Sequence, residues 1–172
     1  MSLLARLFSS QPDPREALRP LWHRVVEISR DPAFYREDGV ADNVPGRFDM
    51  IAAILALVML RMERDGSLAR EQALLTELFV ADMDAQLRQS GIGDMVIGKR
   101  VGKLVSVLGG RLGALREALG SNDDAALADA LGRNVTMAQG RDTSRLAARL
   151  RTLEAKLGAM ENEELLAGHI EW

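Results

Sequence analysis

The sequence predicts an all-α protein: a single compact helical domain around a buried central helix, with a C-terminal amphipathic helix. Of the 172 residues, 47% are apolar and only 4% aromatic, so the core must consist of aliphatic side chains, Met and Ala. Abundant Leu, Ala and Arg favour helix throughout the chain. Residues 50–60 form an unbroken apolar run with charged residues on both sides. A helix that is apolar on every face must be buried in a protein core or a membrane.

The apolar run favours a protein core, because a membrane-spanning helix needs about 20 apolar residues. Shallow membrane insertion is the alternative. We therefore expect residues 50–60 to be mostly buried within this chain and covered by the helices on either side. Pro45 suits the first turn of this central helix, and Gly66 ends it.

Before the central helix, Asp13 and Pro14 predict a helix start, since Asp caps helices and Pro suits the first helical position. Apolar residues then recur at helical spacing to Ile28. Pro20 lies inside this pattern and lacks an amide donor, which predicts a kink or a late helix start. Residues 33–43 are expected to form a turn region.

After the central helix, Ser67 caps a predicted helix over residues 68–89. A fourth helix is expected over residues 94–119, with Gly pairs four residues apart that would let another backbone approach closely. Residues 122–124 cap a short helix that ends near residue 131. Residues 133–141 should be a loop.

The last predicted helix starts at Asp142 or Thr143, and its apolar residues alternate by four and three, as in a coiled-coil seam. The seam residues are Leu146, Leu150, Leu153, Leu157 and Met160. We interpret this helix as an appendage that docks on a partner, on another copy to give a homo-oligomer, or loosely on its own domain. The predicted organisation is a flexible or membrane-proximal segment 1–13, a helical domain 14–135 and an appendage 136–172.

Composition argues against several classes of function. The net charge of −3 gives no broad basic field for nucleic acid, and the absence of Cys excludes thiolate chemistry and fits a reducing compartment. His23 and His169 have no companion at ligand spacing, so neither a metal nor a cofactor is expected. His23 should lie on a helix surface. The sequence therefore predicts a protein that is not an enzyme.

Asp82 is the most informative polar residue, because it lies on the apolar stripe of its helix while Asp84 points the other way. A buried carboxylate must be paired, or its charged form is costly. We expect either a buried ion pair or a polar floor to a binding groove. The candidate partners are Arg47, Arg61, Arg100 and Arg111.

Residues 34–135 contain, in this order, the motifs Gly46-Arg47-Phe48, Asp82-Met83-Asp84, Gly91-Ile92-Gly93-Asp94, Gly110-Arg111 and Ala130-Leu131-Gly132-Arg133-Asn134. In their order and spacing these motifs resemble the ubiquinol–cytochrome c chaperone family. The chain departs from the family pattern where members often carry a His in the central helix and aromatic residues near Gly110. The motif residues that the resemblance suggests for client binding are Arg47, Phe48, Asp82, Met83, Asp84, Arg88, Gly93, Asp94, Lys99, Arg111 and Asn134.

The resemblance implies an all-helical, non-enzymatic chaperone that binds cytochrome b until ubiquinol–cytochrome c reductase assembles. Implied partners are this client or another membrane protein, and a ribosome or membrane surface. The implied location is the cytoplasm, peripheral to the inner membrane, or alternatively the mitochondrion. The rival hypothesis is a helical scaffold or peripheral membrane protein that acts through the C-terminal helix. Met side chains would suit a client groove or simply fill the core.

Overall fold

A computed structural model describes residues 13–64, 66–89, 97–121 and 123–172, with the side chains of residues 87–89 and 97–101 left out. The described chain is helical and contains no β-strand beyond an isolated antiparallel bridge between Val40 and Met137. The predicted all-α class is therefore confirmed. After a 3₁₀ turn over Pro14–Leu18, the helices are α1 (Arg19–Ser29), α2 (Pro32–Arg36), α3 (Val44–Glu63), α4 (Ala69–Gln89), α5 (Ile97–Gly120), α6 (Asp124–Asn134), α7 (Ser144–Ala159) and α8 (Asn162–Leu166).

Helix α3 is the centre of the fold. The Asn43 side chain caps it by accepting a hydrogen bond from the Gly46 amide at 2.9 Å, and Pro45 occupies its first turn. No residue from 50 to 60 is more than 8% exposed. Helices α1, α4, α5 and α7 pack around it. The predicted burial of the apolar run within this chain is therefore confirmed, and the covering helices supply its apolar surroundings.

The N-terminal elements differ from the predicted ones at two points. Asp13 caps a 3₁₀ turn, and regular α-helix begins only at Arg19, so Pro20 gives the late start and not a kink. The turn region expected over residues 33–43 instead opens with α2. Asp31 caps this helix through the Ala33 amide at 2.7 Å, and a helix of one turn is too short to show a periodic pattern.

Helix α6 ends at Asn134, later than the predicted end near residue 131. The chain then runs antiparallel to residues 39–41: the Ala41 amide donates to the Thr136 carbonyl at 2.9 Å, and the Ala138 amide donates to the Gly39 carbonyl at 2.8 Å. The predicted loop over residues 133–141 is thus tied to the segment before α3.

Of the three docking alternatives expected for the last helix, the structure shows α7 packed on its own domain. Leu146, Leu150, Leu153 and Leu157 are each at most 1% exposed, and α7 packs on α3 and α6. An apolar seam of this size is stabilised by burial, and α3 supplies the apolar surface. These four leucines are therefore covered by the protein's own core.

The early arginines of α7, whose order opposes the helix dipole, find acidic partners in other elements. Arg149 pairs with the buried carboxylate of Asp38, and Arg151 pairs with Asp124 at 2.6 Å. Arg61 of α3 donates to the carbonyl of Leu157 at 3.0 Å at the other end of α7. Tertiary charge pairs thus outweigh the local dipole.

The C-terminal residues close over α1 and α2. Arg24 donates two hydrogen bonds to the carbonyl of Ile170, at 2.9 and 2.7 Å. The Trp172 ring stacks on Phe34 with 5.1 Å between centroids, and its indole N–H donates to the Asp31 carboxylate. Asp31 therefore connects the start of α2 to the C-terminal residues.

Asp31 should contribute acid-sensitive stability. Its hydrogen bonds, first from the Ala33 amide and then from Trp172, hold its pKa below the ordinary value. The folded state therefore binds this proton more weakly than the unfolded state, where the pKa is about 3.9. The stabilisation is present above that value and is lost as pH falls through the lower folded pKa. Asp31→Asn should flatten the loss of unfolding free energy below about pH 4.

Urea unfolding over a pH series measures this effect. At neutral pH Asp31→Asn should cost only about 0.5 kcal/mol, since Asn also caps helices. Asp129→Asn is the matched control, because Asp129 is exposed and has no hydrogen bond or ion pair with the residues described. Parallel acid profiles for Asp31→Asn and the parent protein would contradict the assignment.

Candidate functional site

Family-like motifs from three distant parts of the sequence meet at one buried polar cluster. We call it the Asp49–Arg111 cluster; its members are Phe48, Asp49, Arg111, Asn134 and Thr136. Asp49 and Arg111 are 7% and 8% exposed, which is low for charged residues. The cluster joins the first turns of α3, the middle of α5 and the chain that leaves α6.

Both oxygens of the Asp49 carboxylate have partners. Oδ1 accepts a hydrogen bond from Nη2 of Arg111. Oδ2 accepts two from Thr136, from the amide at 2.9 Å and from the hydroxyl at 2.6 Å. Such full satisfaction is what allows a carboxylate to stay charged in a buried site.

Arg111 is less completely satisfied. Its Nε donates to the Asn134 carbonyl at 3.1 Å, whereas the buried Nη1 has no hydrogen-bond partner among the described residues. The guanidinium carbon lies 5.4 Å from the centre of the Phe48 ring, within cation–π range. Burial lowers the pKa of Arg111, and the nearby Asp49 charge opposes this change. The guanidinium remains charged, because arginine is not deprotonated in proteins.

This arrangement locks elements together and offers little for catalysis. A paired carboxylate and a permanently charged guanidinium provide neither a free base nor a nucleophile. The described residues also contain no group of three or more His, Asp or Glu side chains that could hold a metal ion. We interpret the cluster as a structural link between α3, α5 and α6.

The predicted motif residues Arg47 and Asn134 flank this cluster. Arg47 points outward with 61% of its side chain exposed, pairs with Asp42 at 2.7 Å, and lies over the Tyr35 ring at 5.9 Å. The Asn134 side chain donates to the Ala130 carbonyl at 2.8 Å near the end of α6. The motif that begins at Gly46 thus presents one arginine to solvent and one aromatic ring to the interior.

The expectation that Asp82 is a buried carboxylate paired with an arginine is wrong. It is half-buried at the edge of the α4 stripe, accepts a hydrogen bond from Gln86 at 3.4 Å, and forms no ion pair with the side chains described. The row of α4 that enters the core contains Leu75, Phe79 and Met83. Asp49 is a buried carboxylate that pairs with an arginine, as is Asp38, and the partner of Asp49, Arg111, is one of the four arginines predicted for Asp82.

Asp82 does lie on a groove, as the second expectation for it required. This α1–α4 groove has a volume of about 630 Å³. Its apolar lining comes from Trp22, Val26, Leu78 and Ala81, and its charged lining includes Arg15, Arg19, Glu27, Arg30 and Asp82. His23, which the sequence places on a helix surface, is exposed beside it. The groove combines apolar and charged side chains on one open face.

The remaining predicted residues divide into core residues and residues outside the described part. Met83 is 4% exposed, and Met50, Met59 and Met62 are also buried, so these methionines fill the core. Asp84 is half-buried on α4. Gly93 and Asp94 lie outside the described residues, as do the side chains of Arg88 and Lys99.

The small residues of α5 do not pack against another helix in the described structure. A Cβ atom added at Gly102, Gly109 or Gly113 would meet nothing within 4 Å. The close backbone approach expected at this face is therefore not made within the described chain. None of the described helices has the length and apolar character needed to cross a bilayer.

The helical domain has an interior whose charged groups are paired and an open amphipathic groove on its surface, and this combination is typical of a binding protein. The chain belongs to the ubiquinol–cytochrome C chaperone family, which its residues 36–172 match. Its structure is similar to the crystal structure of the Cbp3 homolog from Brucella abortus. That comparison gives a TM-score of 0.79 and 30% identity, and covers 99% of this chain and 96% of that one. No curated protein sequence matches significantly.

Proposed function

We propose that the protein is a non-enzymatic chaperone for the assembly of ubiquinol–cytochrome c reductase, with cytochrome b as its client. The observation that carries this proposal is the family match over residues 36–172. The similarity to a Cbp3 homolog over nearly the whole of both chains supports it. The Asp49–Arg111 cluster also favours binding over catalysis, because its charged groups are paired with each other and leave no free base or nucleophile.

The α1–α4 groove is our candidate for the client surface. A chaperone for a membrane protein must cover apolar helices while keeping charged groups at the rim, and apolar helices commonly bind in such grooves. Val26 and Ala81 supply accessible apolar surface here above the buried Trp22 and Leu78, and Arg19 and Asp82 supply charge. We further propose that the protein works at the surface of the membrane that receives its client.

Loss of the gene should reduce the b-type haem absorbance and the ubiquinol–cytochrome c reductase activity of membranes from respiring cells. A plasmid copy should restore both. Unchanged spectra and activity in the deletion strain would contradict the assembly role. Because spectra report the assembled complex, this test does not depend on which surface of the chaperone meets the client.

Photocrosslinking tests the groove itself. A photoreactive amino acid at Ala81, which is exposed and lines the groove, should capture cytochrome b in living cells. The same amino acid at Ala155 is the matched control, since Ala155 is an exposed alanine on α7 outside this groove. Equal capture from both positions, or capture from Ala155 alone, would show that the client binds elsewhere.

A further inference from the structure

Three arginines border a small pocket between α2 and the start of α3. This arginine pocket has a volume of about 240 Å³ and is lined by Arg30, Pro32, Tyr35, Arg36, Asp42 and Arg47. It is separate from the Asp49–Arg111 cluster, and only Arg30 also lines the α1–α4 groove. Three guanidinium groups against one carboxylate make it positive in a chain whose net charge is −3.

Two of these arginines are uncompensated. Asp42 pairs with Arg47 at 2.7 Å. The side chains of Arg30 and Arg36 are exposed and form no ion pair or hydrogen bond with the residues described. Arg19 and Arg116 differ, since they pair with Glu16 at 2.7 Å and Glu63 at 2.8 Å. Arg70 and Arg133 are also exposed without a described side-chain partner, but they lie outside the pocket. The pocket therefore has positive charge that is available to an anion.

The surroundings of the pocket are apolar as well as basic. Val44 is 81% exposed, the highest value among the large apolar side chains described. It precedes Arg47 by one helical turn, so the two residues share a face of α3. Tyr35 forms a wall of the pocket and donates its hydroxyl hydrogen to the Ser29 carbonyl at 2.7 Å. Exposed apolar groups beside arginines are typical of surfaces that lie at a lipid headgroup layer.

We propose that the arginine pocket binds the phosphate of an anionic phospholipid and holds this protein at the membrane surface. Guanidinium groups bind phosphate oxygens through paired N–H donors, and Arg30 and Arg36 have those donors free of described partners. Val44 would enter the headgroup layer beside the bound lipid. The proposal deepens the proposed location at the membrane and rests on it, but it does not depend on the identity of the client.

The test is sedimentation of the purified full-length chain with phosphatidylcholine vesicles that contain or lack phosphatidylglycerol. The parent protein should bind only the phosphatidylglycerol vesicles, and less at high salt. Arg30→Gln with Arg36→Gln should weaken this binding about twenty-five-fold, because each arginine near an anionic surface contributes about fivefold. Val44→Ser should weaken it about threefold through lost apolar burial.

The control is Arg70→Gln with Arg133→Gln, which removes the same charge from two exposed positions outside the pocket. Equal loss in both double variants would show a nonspecific charge effect and overturn the proposal. So would failure of the parent protein to bind phosphatidylglycerol vesicles, including a result in which it binds only inorganic phosphate or a glutamate-rich peptide. Circular dichroism should show the parent fold in every variant, since the substituted side chains are exposed.

The vesicle experiment tests the lipid site and the deletion experiment tests the assembly role, so a negative result in one does not decide the other. Vesicle binding is measured without cytochrome b, so its absence would remove the lipid site and leave the assembly role standing. Normal haem spectra in the deletion strain would remove the assembly role and leave the lipid measurement unchanged.

Discussion

Arg111→Met is expected to lower the free energy of unfolding by about 3–5 kcal/mol, because it leaves a buried carboxylate without its counter-charge. The Asp49 side chain is only 10% exposed, and Arg111 supplies its cationic partner in the cluster. The Asn134 carbonyl also loses the hydrogen bond from Nε. Chemical denaturation monitored by circular dichroism measures the change.

Two comparisons separate the buried charge from the loss of side-chain packing. Arg116→Met removes an arginine of the same helix whose ion pair with Glu63 is exposed, and it should cost less than about 1 kcal/mol. Asp49→Leu combined with Arg111→Met removes both charges and should recover part of the loss. Recovery will be incomplete because the Thr136 amide and hydroxyl lose their acceptor. Similar losses for Arg111→Met and Arg116→Met would contradict a buried ion pair.

The fold was predictable where a single local signal determined it. The apolar run over residues 50–60 required a covered helix, and the predicted start signals Pro45 and Asp123 lie where the structure begins α3 and α6. Helix α2 was not predictable from periodicity because it has one turn. The docking of α7 was also undetermined, since a seam specifies an apolar partner without specifying which one.

The candidate site was less predictable, because its contacts join residues far apart in sequence. A buried ion pair was expected, and Arg111 was among its candidates, but the carboxylate was assigned to Asp82. The available signal was the position of Asp49 directly before Met50, on the same helix as a run that is buried on every face. The Thr136 hydrogen bonds had no local signal, because they arise from the chain that returns after α6. The arginine pocket was missed because it depends on which surface arginines have partners.

Gly46→Ala should be as damaging as the loss of Arg111, although it adds only one methyl group. A Cβ atom at this position would lie 2.0 Å from the carbonyl oxygen of Ala41, far inside van der Waals contact. That neighbour is backbone and is held in place, since the Ala41 amide donates to the Thr136 carbonyl. We expect a loss of about 3 kcal/mol in the free energy of unfolding.

Gly113→Ala is the matched control for Gly46→Ala and should have the opposite sign. A Cβ at Gly113 meets nothing within 4 Å, so alanine should stabilise α5 by about 0.5–1 kcal/mol. A neutral Gly46→Ala would contradict the close approach of Ala41. In Gly46→Ala, a shift of Ala41 would also move Thr136, which hydrogen-bonds to Asp49. The double variant Gly46→Ala and Arg111→Met should therefore lose less stability than the sum of the two single losses. Such coupling would mean that these motif residues maintain one folded unit.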